Sequence, residues 1–361
     1  MKDKELKLLQ SLSEAYGPSG FEDEVLDVIE MHRGEMSFER DVLKNGYLNR
    51  AKSEDRGGIM LDAHSDEVGF IVRYIEDNGM IAFLPLGGWI ASDLPSQLVM
   101  VRGKDGYHKG LINSKPIHFV DPKDLERPLD IENLRIDLGV SSKEEVLALG
   151  IRAGSPVVPY SEFSYRERDG VLMGKAFDNR MGCTAVVSVL QKLRELGMSK
   201  GVIGAIASQE EVGGRGAVVT SRIVKPRLAL VFEGAPADDS FLPAHMQQCR
   251  LGGGPMIRHF DGSYIANELL IQIAEQVADE EGIPVQFAVR KGSGTNAGKI
   301  HTQHKGIPCL VLSVPCRYIH SHHQYAVLSD LKHTIDLAVA IVLRLQRDSI
   351  LSEFETLEFS D

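Results

Sequence analysis

The sequence predicts an α/β protein with a β-rich insertion. Three observations support this. Strand-like apolar runs alternate with amphipathic helical patterns in the N-terminal segment and again after about residue 165, the signature of α/β architecture. Between about 68 and 162 the texture changes to short apolar runs punctuated by Gly, Asp and Lys, which reads as a small barrel or sandwich. The length of 361 residues exceeds what one small core usually accommodates. One discontinuous α/β domain is therefore expected over 1–67 and 163–361, with 68–162 inserted into it.

Residues 3–16 and 22–35 carry helical apolar spacing and are separated by the Pro/Gly break "YGPSGFE". Strand-type runs follow: "FERDVL", "GYLNRAK" and "GGIMLDAHSDEVGFIVRYI". Within the insertion, "GMIAFLPLGGWI", "SQLVMVRGKDGYHKGLI", "LRIDLGV" and "GSPVVPY" read as strands, and "SSKEEVLALG" as a helix with Ser142 as its N-cap. Beyond it come strand "GVLMGKA", helix 180–197, strand "GVIGAIAS", helix 214–222 and strand "RLALVFEG". Helix 264–282, strands "PVQFAVR" and "PCLVLSVP", and helix 328–347 complete the chain. Helix 180–197 carries Val186, Val189, Leu190, Leu193 and Leu196 at helical spacing, with Gly197 as its stop.

Composition excludes several classes. A formal charge of −11 argues against a nucleic-acid partner, and the scattered acids read as solubility. The opening "MKDKELKLLQSLSEAYG" is charged and amphipathic, unlike a signal peptide. No apolar run approaches the roughly 20 residues that span a bilayer. Cys183, Cys249, Cys309 and Cys316 form no CxxC, so a reducing cytoplasm is expected. The Gly-rich stretches "GGGPMIRHFDGS" and "RKGSGTNAGK" lack phosphate-loop spacing, and no nucleophile elbow is present.

Ligand-type residues recur where apolar runs end. They lie in "GIMLDAHSDE" (58–67), "MGKAFDNRMG" (173–182), "AIASQEEVGG" (205–214), "LALVFEGAP" (228–236) and "LVLSVPCRYIHSHHQ" (310–324). Each has a local explanation: His64 as an ordinary strand-end histidine, Asp178 as a helix cap, Glu210–Glu211 as loop charges, Glu233 as part of a turn. Among His320, His322 and His323 the pattern does not choose. Five such coincidences are improbable together. In open α/β sheets, groups beyond the carboxyl ends of strands converge on one ligand site. A nitrogen- and oxygen-bearing set without cysteine suits Zn²⁺, Co²⁺ or Mn²⁺.

Taken in order, "PSGFE" (18–22), "AHSDEVGF" (63–70), "GKAFDNRMGC" (174–183), "SQEEVGGRGA" (208–217), "VFEGAPADD" (231–239), "GSGTNAGKIH" (292–301) and "GIPCLVLSVPCRYIHS" (306–321) resemble the tetrahedral metallo-aminopeptidases. The insertion's "GLINSKPIHF" and "LRIDLGVSSKEEVLALGIRAG" are similar too. Some members of that family carry the name endoglucanase. The resemblance implies a mixed-sheet, zinc-exopeptidase-like domain with an inserted small β-barrel, and two divalent ions per subunit, Zn or Co foremost and Mn permitted. His64 and Glu233 would hold one ion, Glu211 and His320 the other, and Asp178 would bridge them. Asp66 would orient His64, and Glu210 would be the general base. Three positions depart from the family's usual pattern: Asn179 and Asn296 stand where Asp is common, as does Glu233.

The expectation is a cytoplasmic aminopeptidase that removes N-terminal residues from peptides, with neither a nucleic-acid nor a membrane partner. The resemblance further implies a homo-oligomer of dimers forming a dodecamer, paired through the insertion, whose "AFLPLGGWIA" would supply the apolar contact. Two alternatives stand beside it: a glycoside hydrolase built on paired carboxylates, and a non-catalytic metal-binding assembly protein.

Overall fold

The computed structural model describes residues 3–50, 58–120, 128–347 and 350–354. The chain opens with helices α1 (Lys4–Glu14) and α2 (Asp23–His32), then strands β1 (Phe38–Arg40), β2 (Gly46–Leu48) and β3 (Ile59–His64). Next come β4 (Gly69–Ile75), β5 (Ile81–Leu86), β6 (Leu98–Arg102), β7 (Tyr107–Ile112), β8 (Arg135–Asp137), α3 (Lys143–Ala148) and β9 (Pro156–Pro159). The chain then returns through β10 (Ser164–Arg166), β11 (Val171–Gly174), α4 (Phe177–Glu195), β12 (Val202–Ala207), α5 (Arg215–Val224) and β13 (Leu228–Pro236). It ends with β14 (Met256–Asp261), β15 (Tyr264–Ile265), α6 (Glu268–Glu281), β16 (Gln286–Val289), α7 (Ala297–Ile300), β17 (Cys309–Cys316), β18 (Gln324–Val327) and α8 (Leu328–Arg347).

Nine strands form a mixed sheet in the order β1-β2-β12-β3-β13-β17-β14-β15, with β16 on β14. Its centre, β12-β3-β13-β17, is parallel, so these four strands end at the same edge. Alternation then sorts their side chains. Ile59 and Leu61 of β3, with Leu228, Leu230 and Phe232 of β13, face the larger core under α1, α2, α4, α6 and α8. Met60, Ala229 and Val231 face a smaller core with residues of α5 and α7. The fold is thus mixed α/β, with helices on both faces.

Strands β4-β5-β8-β7-β6-β9 close a separate six-stranded barrel between β3 and β10. Phe70, Phe83, Val99, Val101, Ile136 and Val157 fill it. Ser142 caps α3 by accepting from the Glu145 amide, as its sequence predicts.

Several expectations need correction. Tyr264–Ile265 is a two-residue strand, and the helix predicted over 264–282 begins at Glu268, where Asn267 caps it. Helix α4 is kinked at its start, where Asp178 and Asn179 are non-helical, so the regular helix begins at Arg180, as the sequence predicts. Strand β11 is not in the central sheet; it pairs with β10 and β18 in a three-stranded antiparallel sheet. Trp89 is partly buried against the barrel core: its ring stacks on Phe70 at 4.8 Å and its indole N–H donates to the Gly69 carbonyl at 3.1 Å. Ile90, 66% exposed, is the large apolar side chain that faces outward there.

Candidate active site

Five of the sequence-predicted positions sit at the carboxyl edge of the parallel strands. His64 ends β3 and Glu233 lies near the end of β13. Glu210 and Glu211 follow β12 by three and four residues, and His320 follows β17 by four. Asp178 arrives differently, from the first turn of α4 after Ala176 in a left-handed conformation (φ 57°). Gly234 makes this approach possible. A Cβ at Gly234 would lie 2.8 Å from the Asp178 Cα, inside any tolerable contact, so "EGAP" needs its glycine for packing.

The polar atoms form two mirrored groups around Asp178. Its Oδ1 lies 3.1 Å from His64 Nε2, which is 3.2 Å from Glu233 Oε1. Its Oδ2 lies 3.5 Å from His320 Nε2, which is 3.4 Å from Glu211 Oε2. Ligand atoms of His64, Asp178 and Glu211 all fall within 4.8 Å of one another.

Both histidine rings are fixed from behind. His64 Nδ1 is 3.1 Å from the Asp66 carbonyl, and His320 Nδ1 is 3.0 Å from the Gly88 carbonyl. A carbonyl only accepts, so each ring donates from Nδ1 and aims its Nε2 at the cluster. The Gly88 carbonyl belongs to the barrel's β5–β6 connection, so the insertion itself helps to build the site.

Asp66 does more than sit behind His64. Its carboxylate accepts from the Ser19 hydroxyl at 2.6 Å and from the amides of Glu210 at 2.8 Å and Glu211 at 3.1 Å. The Glu210 carbonyl opens a turn by accepting from the Gly213 amide at 2.8 Å, Glu211 lies within it, and Gln209 before them is left-handed (φ 53°). Below the site, buried Glu67 binds Lys175 at 2.7 Å and Arg180 at 3.2 Å, tying β11 and α4 to the segment after β3. Breaking such a group on one side leaves buried charge uncompensated.

The charge balance is lopsided. Burial pushes the Glu210 carboxyl up to about 7 and the Glu233 carboxyl up to about 8, and holds Glu211 well above its usual range. Burial alone would lower His320, but the hydrogen bond to Asp178 and the Glu211 charge raise it to about 9. Burial would also raise Asp178, yet His320 and His64 hold it below the ordinary carboxylate range. Four acids and two histidines share one cleft, and Glu211 Oε1 and Glu233 Oε2 are buried with no partner among the described residues. Orphaned carboxylate oxygens beside paired imidazole nitrogens fit divalent cations. The Glu210 carboxylate differs: among the described residues it accepts no hydrogen bond, and it lines the cleft.

The cleft has a volume of about 530 Å³. Its remaining wall includes Arg258, Ser263, Thr295, Lys299 and Ile319, which sequence reading did not single out as site residues. Asn296 is not in that wall. It is buried and donates to Asp62 at 2.8 Å, so its departure from the usual acid acts behind the surface. Asn179 is likewise internal, donating to the Phe232 carbonyl at 2.9 Å. His322 is buried with its ring 5.4 Å from Trp89, and His323 pairs with Ser161 at 2.9 Å; neither lines the cleft.

A carboxylate- and histidine-lined cleft at the carboxyl edge of a mixed α/β sheet, with a closed barrel inserted beside it, defines the zinc-exopeptidase-like class of hydrolases. The chain belongs to the M42 glutamyl aminopeptidase family, whose model matches residues 45–337. It is 34% identical over 343 residues to the putative aminopeptidase SgcX of Escherichia coli K12, covering 92% of each chain. The TET aminopeptidase of the marine sediment archaeon Thaumarchaeota archaeon SCGC AB-539-E09 superposes with a TM-score of 0.92 at 36% identity, covering 98% of this chain and 99% of that one. The TET1 peptidase of Pyrococcus horikoshii, described as assembling into a tetrahedron or a large octahedral shell, matches with a TM-score of 0.83 at 28% identity, covering 94% and 99%. The protein is therefore an aminopeptidase, a hydrolase of a metallopeptidase family. No helix among the described residues is long and apolar enough to cross a membrane.

Proposed function

We propose that the chain removes N-terminal residues from peptides at a two-cation site, with Glu210 as general base. The observation that carries this reading is the mirrored arrangement about Asp178, each oxygen facing its own His–Glu pair. His64 and Glu233 would hold one ion, His320 and Glu211 the other, and Asp178 both. Zn²⁺ or Co²⁺ suits this donor set, with Mn²⁺ permitted. Bound there, the ions would polarise the scissile carbonyl and lower the pKa of the attacking water.

The chain's own groups do the rest. Glu210, with no hydrogen bond to its carboxylate among the described residues, takes the water's proton and returns it to the leaving amine. Asp66 fixes that glutamate's backbone, and the Asp66 and Gly88 carbonyls fix the two histidine rings. The acidic cleft attracts the substrate's free ammonium and so selects the peptide's first bond. A glycoside reading lacks a platform for sugar stacking, because the only tryptophan, Trp89, packs on Phe70 outside the cleft wall.

The test is metal-stripped protein with Zn²⁺, Co²⁺ or Mn²⁺ restored, assayed on a panel of aminoacyl chromogenic substrates. Stripping should abolish turnover. Restoration should recover it at about two equivalents per chain, with a rise in melting temperature, since an ion that binds only the native state stabilises it. Undiminished turnover in the stripped protein, or equal cleavage of N-terminally blocked peptides, overturns the reading.

We further infer that residues 68–162 act as the oligomerisation module and partial lid. Support comes from the Gly88–His320 contact and from exposed Ile90, Ile117 and Phe119, which are 66%, 67% and 73% accessible. By analogy with a solved structure described as a dodecamer, 28% identical to this chain, the assembly is a dodecamer built from dimers. A cytoplasmic setting suits the four buried, unpaired thiols. Light scattering should report a large homo-oligomer, and Ile90→Glu should lower its order, whereas Trp89→Glu should unfold the barrel instead. A monomer at micromolar concentration sinks the pairing claim, and a dimer removes only the dodecamer.

A further inference from the structure

One fully buried carboxylate has no place in the ligand set. Glu22 stands at the N-cap of α2, where a side-chain oxygen would ordinarily accept from the helix's own first-turn amides. It makes no such cap. Its Oε1 instead accepts from the Gly20 amide at 2.7 Å and from the Gln209 amide at 3.2 Å, a partner 187 residues away. The residue is 0% exposed, and its Oε2 is buried without a partner among the described residues. Burying a carboxylate so sparsely bonded is costly, and helix α2 gains no cap in exchange. Its long-range contact is with the turn that presents Glu210.

That turn has an unusual requirement. Gln209 holds a left-handed backbone (φ 53°), which a residue with a side chain adopts only at some cost and keeps only where its surroundings enforce it. Glu22 holds the Gln209 amide, and Asp66 holds the next two, those of Glu210 and Glu211. Three consecutive amides are thus pinned by two buried carboxylates from different parts of the chain. The Glu210 carboxylate itself accepts nothing among the described residues, so its place in the cleft is set through this backbone.

We propose that Glu22 is a positioning residue for Glu210, acting through the Gln209 amide; this rests on the base reading given above. Glu22→Ala frees the turn at one end while leaving the ligand atoms unchanged. It should lower kcat by at least about 10-fold, since a displaced base forfeits part of the acid–base contribution, with KM within about 3-fold and metal content unchanged. Glu22→Gln keeps an oxygen acceptor for Gln209 and should restore kcat to within about 3-fold of the parent.

The deciding measurement is a double-mutant cycle with Glu210→Gln. If Glu22 works only through Glu210, the double variant is no slower than Glu210→Gln alone, within about 2-fold. Losses that multiply overturn the proposal, as does a Glu22→Ala enzyme whose kcat lies within about 2-fold of the parent. A failure of Gln to rescue also overturns it. Should Glu22→Ala not fold, Glu22→Asp, which withdraws the acceptor by one methylene, takes its place in the cycle under the same criteria. Near-normal turnover of Glu210→Gln by itself removes the base reading, and this one with it.

Discussion

Asp178→Asn is expected to disable both halves of the site at once. The carboxylate's two oxygens serve two different histidines, Oδ1 at 3.1 Å from His64 Nε2 and Oδ2 at 3.5 Å from His320 Nε2. An amide has one acceptor oxygen and one donor nitrogen. Whichever way it turns, one half then faces an N–H₂ where it needs an anion, and the other loses the shared negative charge that screens two cations from each other. Shape is almost unchanged, so the fold should survive. Cation affinity should fall by more than about 10²-fold, because losing even an outer partner of a ligand costs 10–100-fold. Elemental analysis and turnover should fall together. If one equivalent remains tightly bound, Asp178 is a terminal ligand and the mirrored assignment is wrong.

How far this site could be read from sequence depends on the residue. His64 and Glu233 were legible because each follows a buried, mostly apolar stretch of its strand, residues 59–63 of β3 and 228–232 of β13. The parallel register then brings those ends together, which the α/β alternation already implied. Asp178 was legible as a residue but not by its route, since it enters from a helix beside a separate small sheet rather than from the central one. The contact made by Gly88 left no trace, because a backbone carbonyl is not written in residue type. The "AFLPLGGWIA" stretch was ambiguous for a related reason. A short apolar run reads alike whether it lines a barrel or a surface, and only the packing of Trp89 on Phe70 separates the two. Asn296 shows the opposite limit. Its motif marked it as close to the site, yet its side chain points to buried Asp62.

Glu210→Gln should separate binding from chemistry more sharply than any other change. The substitution keeps length and volume and removes only the capacity to take a proton. Nothing among the described residues bonds to that carboxylate, so no structural contact is lost, and the turn stays anchored through the backbone amides on Asp66. Its neighbour is the control. Glu211 Oε2 faces His320 at 3.4 Å, and Glu211→Gln should release one cation along with activity. For Glu210→Gln, cation content and KM should stay near the parent values while kcat falls by at least about 10²-fold, the scale of losing a positioned base. The reason lies in where binding is spent: a group that acts only as the proton moves contributes nothing to the bound ground state, so its loss appears in kcat and not in KM. Loss of a cation from Glu210→Gln would show that Glu210 is a ligand. Near-parental turnover with both ions present would leave the adjacent glutamates as two electrostatic neighbours, only one of which has work to do.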